Sequence, residues 1–165
     1  MLNKKGFTII ELLVVLAIVG IVITLAVSSM ANTIPHLRLN DSVGELVSRI
    51  NLARSTAIAR NKAYVVSFNK LENTYNIFMD DNENWQREDD EDTITDTQMS
   101  KGVSIVKISF SFGTTAFGYD GSGLPLKNRI GSVCLKNDKD EYHKISVSWN
   151  GRAKVYKNVK KKECE

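Results

Sequence analysis

One stretch near the start of the chain decides its fold: "KKGFTIIELLVVLAIVGIVITLAV", from Lys4 to Val27. Two lysines and a glycine precede a long apolar run, and the run contains a single acid, Glu11. From Leu12 to Ala31 only one glycine, one threonine and two serines interrupt the apolar residues. With the residues just before Glu11 added, the run reaches the length of about 20 residues that crosses a bilayer as a helix. The stretch therefore predicts a helix made for apolar surroundings.

Three interpretations of this segment compete. A secretory signal peptide has a shorter apolar core and a small-residue cleavage site, which "SSMANT" (Ser28–Thr33) matches only weakly. A plain membrane anchor explains the apolar length and the two lysines, which place the N-terminus on the cytoplasmic side. It does not explain Glu11, because an ionisable group at that depth is costly and usually has a specific partner. A tolerated acid at the membrane surface is the simple alternative to such a partner.

"KKGFTIIELLVVLAIVGI" (Lys4–Ile21) resembles the class III signal of type IV pilins and type II secretion pseudopilins. The resemblance implies that residues 1–6 are a leader peptide. A prepilin peptidase and N-methyltransferase would cut between Gly6 and Phe7 and methylate the new Phe7 amine. Glu11 of an incoming subunit would then pair with the Phe7 amine of a neighbour in a filament. Breaking such a pair in an apolar core costs about 3–5 kcal/mol, so Glu11 would set the register of assembly.

The helix is expected to continue beyond the apolar run as an amphipathic segment. Many members of the family carry a proline near the position of Ser28, but the first proline here is Pro35, so a kink or break is expected there. Beyond it, apolar residues recur every three or four positions, the pattern of a one-faced helix that packs on a sheet. These residues are Leu39, Val43, Leu46, Ile50, Ala53 and Ala57. Asn61 can take the left-handed position that ends a helix.

The rest of the chain has the pattern of β-strands. Short apolar or alternating runs predict six strands, at Ala63–Phe68, Thr74–Met79, Val103–Phe112, Gly131–Leu135, His143–Trp149 and Arg152–Tyr156. Asn150-Gly151 separates the last two by two residues, which is a strong hairpin signal. The predicted fold class is α+β. A transmembrane half-helix (7–31) and an amphipathic half-helix (32–61) precede an antiparallel β domain (62–165), with the helix packed on the sheet.

The order of these segments is similar to the minor-pilin branch that includes pseudopilin H and FimT. "LARSTAIARNKAYVVSF" (Leu52–Phe68) resembles the helix-to-strand junction of this branch, and "FMDDNEN" (Phe78–Asn84) resembles its Asp/Asn-rich loop. "SVCL" (Ser132–Leu135) and "SVSWNGRAKVY" (Ser146–Tyr156) resemble its closing strands. The resemblance extends over nearly the whole chain and implies the pilin fold.

An acidic loop follows the first predicted hairpin. Nine acids and one base lie between Asp80 and Asp96, and their repulsion favours a mobile, solvated loop. Calcium binding is the alternative, because four residues have the spacing of calcium ligands: Asp80, Asn82, Asn84 and Glu91. Counted from Asp80 as the first position, Trp85 occupies the sixth position, where calcium loops need glycine for a sharp turn.

The chain contains two cysteines, Cys134 and Cys164. In a protein whose body crosses a membrane, two cysteines fit one disulfide, which would fasten the C-terminal tail to the strand around Cys134. Closing a loop of that size stabilises by roughly 3–4 kcal/mol in the chain-entropy account. Two buried free thiols are the alternative. Metal ligation by the cysteines is not expected, because only His36 and His143 could join them and no close spacing exists.

The C-terminal tail is basic. In a strand, Arg152, Lys154 and Tyr156 face the same way, an arrangement that suits phosphate contact and base stacking. FimT-like pilins that bind DNA carry Gly-Arg-x-Arg in this tail, where this chain has Gly151-Arg152-Ala153-Lys154; lysine keeps the charge but loses the two-pronged grip of arginine. The alternative is an edge strand whose lysines prevent aggregation. The basic residues of the tail are Arg152, Lys154, Lys157, Lys160, Lys161 and Lys162.

Together the patterns indicate a minor type IV pilin or a type II secretion pseudopilin, a structural and assembly subunit. The sequence contains no nucleophile–base pair, phosphate loop or metal cluster that would indicate an enzyme, and no cofactor is expected. The expected partners are other pilins in a filament, the processing enzyme and the inner membrane. The chain would cross that membrane once, with a cytoplasmic N-terminus and a periplasmic or extracellular domain. A DNA-binding minor pilin for DNA uptake is the alternative function.

Overall fold

The computed structural model describes residues 7–88 and 91–164, so the predicted leader peptide lies outside the described residues. The chain divides into two compact units, Met1–Ile34 and Pro35–Glu165. One helix, α1 (Ile9–Arg60), begins in the first unit and ends in the second. Pro35 lies inside α1, so a helix break at this residue is wrong, while the kink that was its alternative stays a prediction. Proline removes one backbone hydrogen bond, and burial of the apolar stripe that follows Pro35 outweighs that loss.

The second unit contains eight strands in two four-stranded antiparallel sheets. The first sheet has the order β3-β2-β1-β5 and the second has the order β4-β6-β7-β8. The strands are β1 (Tyr64–Asn69), β2 (Thr74–Met79), β3 (Thr93–Gln98), β4 (Val103–Phe110), β5 (Ala116–Tyr119), β6 (Gly131–Asn137), β7 (Tyr142–Val147) and β8 (Ala153–Tyr156). Short 3₁₀ turns occur at Ser111–Gly113, Leu126–Asn128 and Lys161–Glu163. The predicted α+β class is confirmed.

One hydrophobic core joins α1 to both sheets. The six residues of the predicted helical stripe are at most 2% exposed, which confirms the amphipathic pattern. The core also contains an aromatic group in which Phe110 stacks on Phe117 at 4.9 Å between ring centroids and Tyr119 meets Phe117 edge-on at 5.6 Å. Phe110 comes from the second sheet and Phe117 and Tyr119 come from the first, so these rings fill the space between the sheets.

Most predicted strands are present, with shifted ends. Thr74–Met79 has the predicted bounds, while β1 begins one residue later and β4 ends two residues earlier than predicted. Two strands, β3 and β5, were not predicted. The alternation in β4 is interrupted by a register shift between Ile105 and Lys107, which is typical of a β-bulge.

The end of α1 and the β7–β8 turn each contain a residue in the left-handed backbone conformation. Asn61 follows α1 with φ 49°, as predicted for the helix end. The hairpin β7–β8 differs from its prediction, because three residues instead of two separate Ser148 from Arg152. Ser148 N–H donates to the Arg152 carbonyl at 3.1 Å, and Gly151 N–H donates to the Ser148 carbonyl at 2.8 Å. Gly151 has φ 74°, the position that three-residue hairpins give to glycine.

Candidate functional site

The N-terminal turn of α1 contains the predicted assembly residue. Thr8 caps the helix, because Glu11 N–H donates to Thr8 Oγ1 at 3.3 Å. Glu11 is therefore the third residue of the helix, and Phe7 is the residue just before the cap. Among the described residues, the Glu11 side chain is solvent-exposed and has no hydrogen-bond or ion-pair partner. Gly6 lies outside the described residues, so the cleavage and methylation sites stay predictions.

The surface around Glu11 is apolar. The large apolar side chains between Phe7 and Ile23 are 45–81% exposed. Within the residues that the structure describes, no helical segment combines the length and the apolar character needed to cross a bilayer. A contiguous apolar surface of this extent marks a site of contact with a partner or a membrane.

The described part of the acidic loop, residues 80–88 and 91–92, is held by its own side chains. Asp80 is fully buried and accepts hydrogen bonds from the N–H groups of Asn84 and Trp85, at 3.1 and 3.0 Å. Asn82 Oδ1 accepts from Asn84 N–H, and Glu91 Oε2 accepts from Glu88 N–H, both at 3.0 Å. Oxygens at the predicted calcium positions thus shape the turn. In the described ranges no group of three or more acidic, histidine or cysteine residues could hold a metal, and calcium binding stays a prediction.

Bases from outside the loop fix it to the domain. Lys62 pairs with Asp81 at 2.8 Å, Lys127 pairs with Glu83 at 2.9 Å, and Arg60 pairs with Asp92. These ion pairs offset part of the repulsion that favoured a solvated loop. A cation–π contact adds to them, with the Arg129 guanidinium 3.6 Å from the centroid of the Trp85 ring.

The predicted disulfide is present and fixes the position of the C-terminal end of the tail. Cys134 and Cys164 are joined across 30 residues, and both are buried. They pack with Tyr142. The Tyr142 carbonyl also accepts from Val159 N–H at 2.9 Å. The tail is therefore fixed beside β6 and β7, as the sequence predicted.

The candidate DNA-binding residues lie on β8 and beyond it. β8 is an edge strand. Lys154 and Tyr156 on this strand are exposed, and so is Arg152, which lies just before it. The Lys154 ammonium is 4.9 Å from the centroid of the Tyr156 ring. We call these three residues the tail row. The remaining predicted residues follow the strand and are also exposed, namely Lys157, Lys160, Lys161 and Lys162.

A polar cluster that the sequence did not reveal joins α1 to the second sheet and the tail. His143 is fully buried, and its Nε2 lies 3.4 Å from Asn40 Oδ1 while Nδ1 accepts from Asn158 N–H at 3.5 Å. Burial lowers the pKa of His143. Nearby, hydrogen bonds from Asn137 and then His36 lower the pKa of Glu141. A histidine within a strand pattern gives no sign of partners 103 residues away.

A second unpredicted contact fixes the β7–β8 turn to α1. Arg54 Nε donates to the Gly123 carbonyl at 2.8 Å and Nη2 donates to the Asn150 carbonyl at 3.0 Å. Tyr119 Oη donates to the Gly151 carbonyl at 3.0 Å, and burial raises the pKa of Tyr119. We call this arrangement the Arg54 clamp. The Asn-Gly pair predicted the turn but not the surface on which it rests.

The fold and the sequence are similar to those of pilins and pseudopilins. Residues 42–151 match the family model "Type II transport protein GspH", and residues 1–27 match the "Prokaryotic N-terminal methylation motif". The pilin-like protein PilA1 of Thermus thermophilus is 26% identical over 159 residues, which cover 93% of this chain and 99% of PilA1.

Two groups of solved structures have the same fold. The minor pseudopilin EpsH of the Vibrio cholerae Type 2 Secretion System has a TM-score of 0.55 at 15% identity, over 73% of this chain and 98% of that chain. The type IV minor pilin FimU of Pseudomonas aeruginosa has a TM-score of 0.54 at 13% identity, over 73% and 94%. The GspH match covers about two thirds of the sequence, and the N-terminal motif precedes it in the same chain. The chain therefore belongs to the GspH family of pilin-like structural subunits.

Proposed function

We propose that the chain is a minor pilin or pseudopilin that is cut between Gly6 and Phe7, methylated at Phe7 and inserted into a filament. The observation that carries this proposal is a single acid on an exposed apolar helix surface. Between Lys5 and Arg38, Glu11 is the only acidic or basic residue apart from His36. The apolar surface is suited to the membrane before assembly and to the packed helices of a filament afterwards.

Helix electrostatics explain why Glu11 and the Phe7 amine suit each other. Cleavage would create an ammonium group one residue before the Thr8 cap, where the helix already carries about half a positive charge. The amine is therefore unfavourable in isolation and favours a carboxylate partner. Glu11 of a neighbouring subunit supplies one, because Glu11 lies in the first turn of its helix and Phe7 lies just before the Thr8 cap. An acid at another position of the apolar run could pair with the amine only if neighbouring subunits were shifted along the filament by a different distance.

The test compares Glu11→Ala with Val15→Ala in cells that contain the corresponding machine. Mass spectrometry of the N-terminus reports cleavage and methylation, and the sheared filament fraction reports incorporation. We expect both variants to be cleaved, Glu11→Ala to be depleted from filaments, and Val15→Ala to assemble like the unaltered chain. An intact leader on assembled protein, or normal assembly of Glu11→Ala, would refute the proposal.

DNA binding by the tail row is a second candidate function. The supporting observation is the exposure of Lys154 and Tyr156 on the edge strand β8 and of Arg152 just before it, which suits phosphate contact and base stacking. The test is a gel shift of the detergent-solubilised chain with DNA at two salt concentrations. Arg152→Ala should weaken binding and lower the salt slope by about one, while Lys139→Ala, in the β6–β7 turn, should not. A shift that is unaffected by salt or by Arg152→Ala excludes the tail row.

A further inference from the structure

A cavity of about 610 Å³ opens beside the disulfide, on the side of the second sheet away from the main core. Its apolar lining includes Tyr142, Val106 and Cys164, which pack together with Cys134. Cys134 lies between two core residues of β6, so its side chain points away from the main core. The volume is within the range of roughly 300–1,000 Å³ that is typical of small-ligand sites. The functions proposed above do not use this cavity.

Three lysines from three segments of the chain line the same cavity, which we call the lysine cavity. Lys70 comes from the β1–β2 turn, Lys136 from β6 and Lys161 from the last 3₁₀ turn. Asp140 is the one acid among the described lining residues, and it pairs with Lys136 at 2.9 Å. Three ammonium groups and one carboxylate give the lining a net charge of +2. The lysine cavity therefore suits an anionic group that has apolar neighbours.

The disulfide keeps the tail lysine at the cavity. Cys164 N–H donates to the Lys161 carbonyl at 2.9 Å, at the end of the last 3₁₀ turn. Cys164 is buried and is bonded to Cys134 on β6. Lys161 is thus fixed to the sheet through its own turn, although it lies in the tail. A binding group that is already positioned loses less freedom when a ligand arrives.

The lysine cavity lies at the end of the second unit where the chain enters it. Glu141, the residue after Asp140, pairs with His36 at 3.1 Å. In the same region, Arg38 Nη1 donates to the Lys101 carbonyl at 3.4 Å. The first unit ends at Ile34, so these contacts involve the first residues of α1 in the second unit. In the membrane-inserted state proposed above, lipid headgroups lie just beyond the apolar run, where the chain reaches this end of the domain.

We propose that the lysine cavity binds the phosphate of an anionic phospholipid headgroup while the subunit is in the membrane. The inference rests on the proposed function, because it needs the apolar helix to be inserted in a bilayer. Basic clusters next to a membrane helix attract anionic lipids, and basic pockets there bind their headgroups. The contact is available only before assembly, so the headgroup would hold the domain at the membrane surface until the subunit enters a filament.

The first test is native mass spectrometry of the full chain in detergent micelles that contain phosphatidylglycerol or phosphatidylcholine. We expect phosphatidylglycerol to be retained in preference, because the lysines repel the choline cation. Replacing Lys70 and Lys161 together (Lys70→Gln, Lys161→Gln) should lower its retention about 25-fold, since each lysine near an anionic lipid surface contributes about fivefold. Equal retention of the two lipids, or binding of added inorganic phosphate without a lipid preference, would overturn the proposal.

The matched control is the double variant Lys101→Gln, Lys139→Gln. Both lysines are exposed at the same end of the second unit, and neither is among the lining residues of the cavity. This control has the same net charge as the cavity variant and should retain phosphatidylglycerol like the unaltered chain. An equal loss in the two double variants would show diffuse attraction to the lipid surface, and the cavity would then be excluded as the site.

The second test is photocrosslinking in cells that lack the assembly machinery, with Leu71→p-benzoylphenylalanine. Leu71 follows Lys70 in the β1–β2 turn and is 98% exposed, and we expect it to form a phospholipid adduct. Trp149→p-benzoylphenylalanine is the control. Trp149 is 76% exposed in the β7–β8 turn, which the Arg54 clamp holds at a point roughly 27 Å along α1 from His36. A protein adduct or no adduct at Leu71, or an equally strong lipid adduct at Trp149, would contradict the inference.

The inference and the proposed function fail in different measurements. Lipid retention is measured without a filament, so loss of the lipid preference would overturn the lysine cavity and leave cleavage, methylation and incorporation untouched. An intact leader on assembled protein, or normal assembly of Glu11→Ala, would refute the proposed function whatever the lipid result.

Discussion

The side-chain amide of Asn73 occupies the edge of β4, where its Nδ2 donates to the Val103 carbonyl at 2.7 Å. The side-chain Oδ1 of Asn73 accepts from Ile105 N–H at 2.8 Å, and the backbone carbonyl of Asn73 accepts from Met99 N–H at 3.0 Å. Asn73 has φ 57°, a conformation that asparagine tolerates better than most residues. One residue in the β1–β2 turn therefore joins the first sheet to the edge of the second.

We expect Asn73→Ala to lower the free energy of unfolding by about 1–3 kcal/mol, because two backbone groups of β4 lose their partners. The measurement is denaturant unfolding of the detergent-solubilised chain, followed by the fluorescence of Trp85 and Trp149. Glu72→Ala, at the neighbouring exposed position, is the control and should change the midpoint little. An Asn73→Ala midpoint equal to that of the control would show that water replaces the amide without cost.

The disulfide gives a second stability prediction. Replacing both Cys134 and Cys164 by serine should lower the free energy of unfolding by about 3–4 kcal/mol, the chain-entropy value for a loop of this length. The same unfolding assay, with and without a reductant, measures the effect. The reductant should lower the stability of the unaltered chain but not that of the double variant. Equal stability of the two proteins under oxidising conditions would contradict the prediction.

The buried His143 predicts a loss of stability in mild acid. Burial is the main cause of its lowered pKa in the folded chain, with further contributions from the charges of Lys157 on the tail and His36 on α1. A hydrogen bond with the Tyr142 backbone and, more weakly, the charge of Glu141 act in the opposite direction. The unfolded chain therefore binds a proton first. The stabilisation is fully present above the ordinary histidine pKa of about 6.5 and is lost as the pH falls from there towards the folded pKa.

The measurement for His143 is the free energy of unfolding between pH 8 and pH 5. One such group gives a slope of up to about 1.4 kcal/mol per pH unit. His143→Gln removes the titrating group, so its stability should vary less with pH in this window, although its absolute stability is lower. His36→Gln is the control, because His36 is partly exposed and should leave most of the slope in place. An unchanged slope in His143→Gln would assign the acid sensitivity to other groups.

The sequence predicted the parts of the fold that depend on local patterns. The stripe beginning at Leu39 and the strand Thr74–Met79 follow from periodicity alone, and the two cysteines leave one intramolecular pairing. β3 was not predicted because "TITDTQ" is polar and lies at a sheet edge, where little burial is needed. β5 has four residues, and its glycine interrupts the strand signal. Such strands form because longer neighbours pair with them.

The candidate sites show the same limit. Glu11 and the tail row were predicted because a lone acid in an apolar run and alternating bases are visible in sequence. The Arg54 clamp and the His143–Asn40 contact join residues about 70 to 100 positions apart. No local pattern specifies such pairs, because their geometry is created by the packing of α1 against the sheets.

Gly151 and Gly113 offer a test of how tightly the β7–β8 turn rests on the Arg54 clamp. Both have positive φ, 74° and 67°, so alanine at either position has the cost of a left-handed backbone, about 1–2 kcal/mol. Only Gly151 has close neighbours: an added Cβ would collide with the Gly123 carbonyl and lie 3.2 Å from Arg54 Nε, whereas nothing lies within 4 Å at Gly113.

Because of this difference, Gly151→Ala should destabilise the chain more than Gly113→Ala does, by an additional amount of about 1–3 kcal/mol from overpacking. Denaturant unfolding measures the difference, since the backbone cost is common to both variants. The collision should also shift the turn, and the fluorescence of Trp149 in the folded state should change in Gly151→Ala only. Equal destabilisation by the two alanines would mean that the turn can move away from Arg54, and the positioning of Trp149 by the clamp would then be disproved.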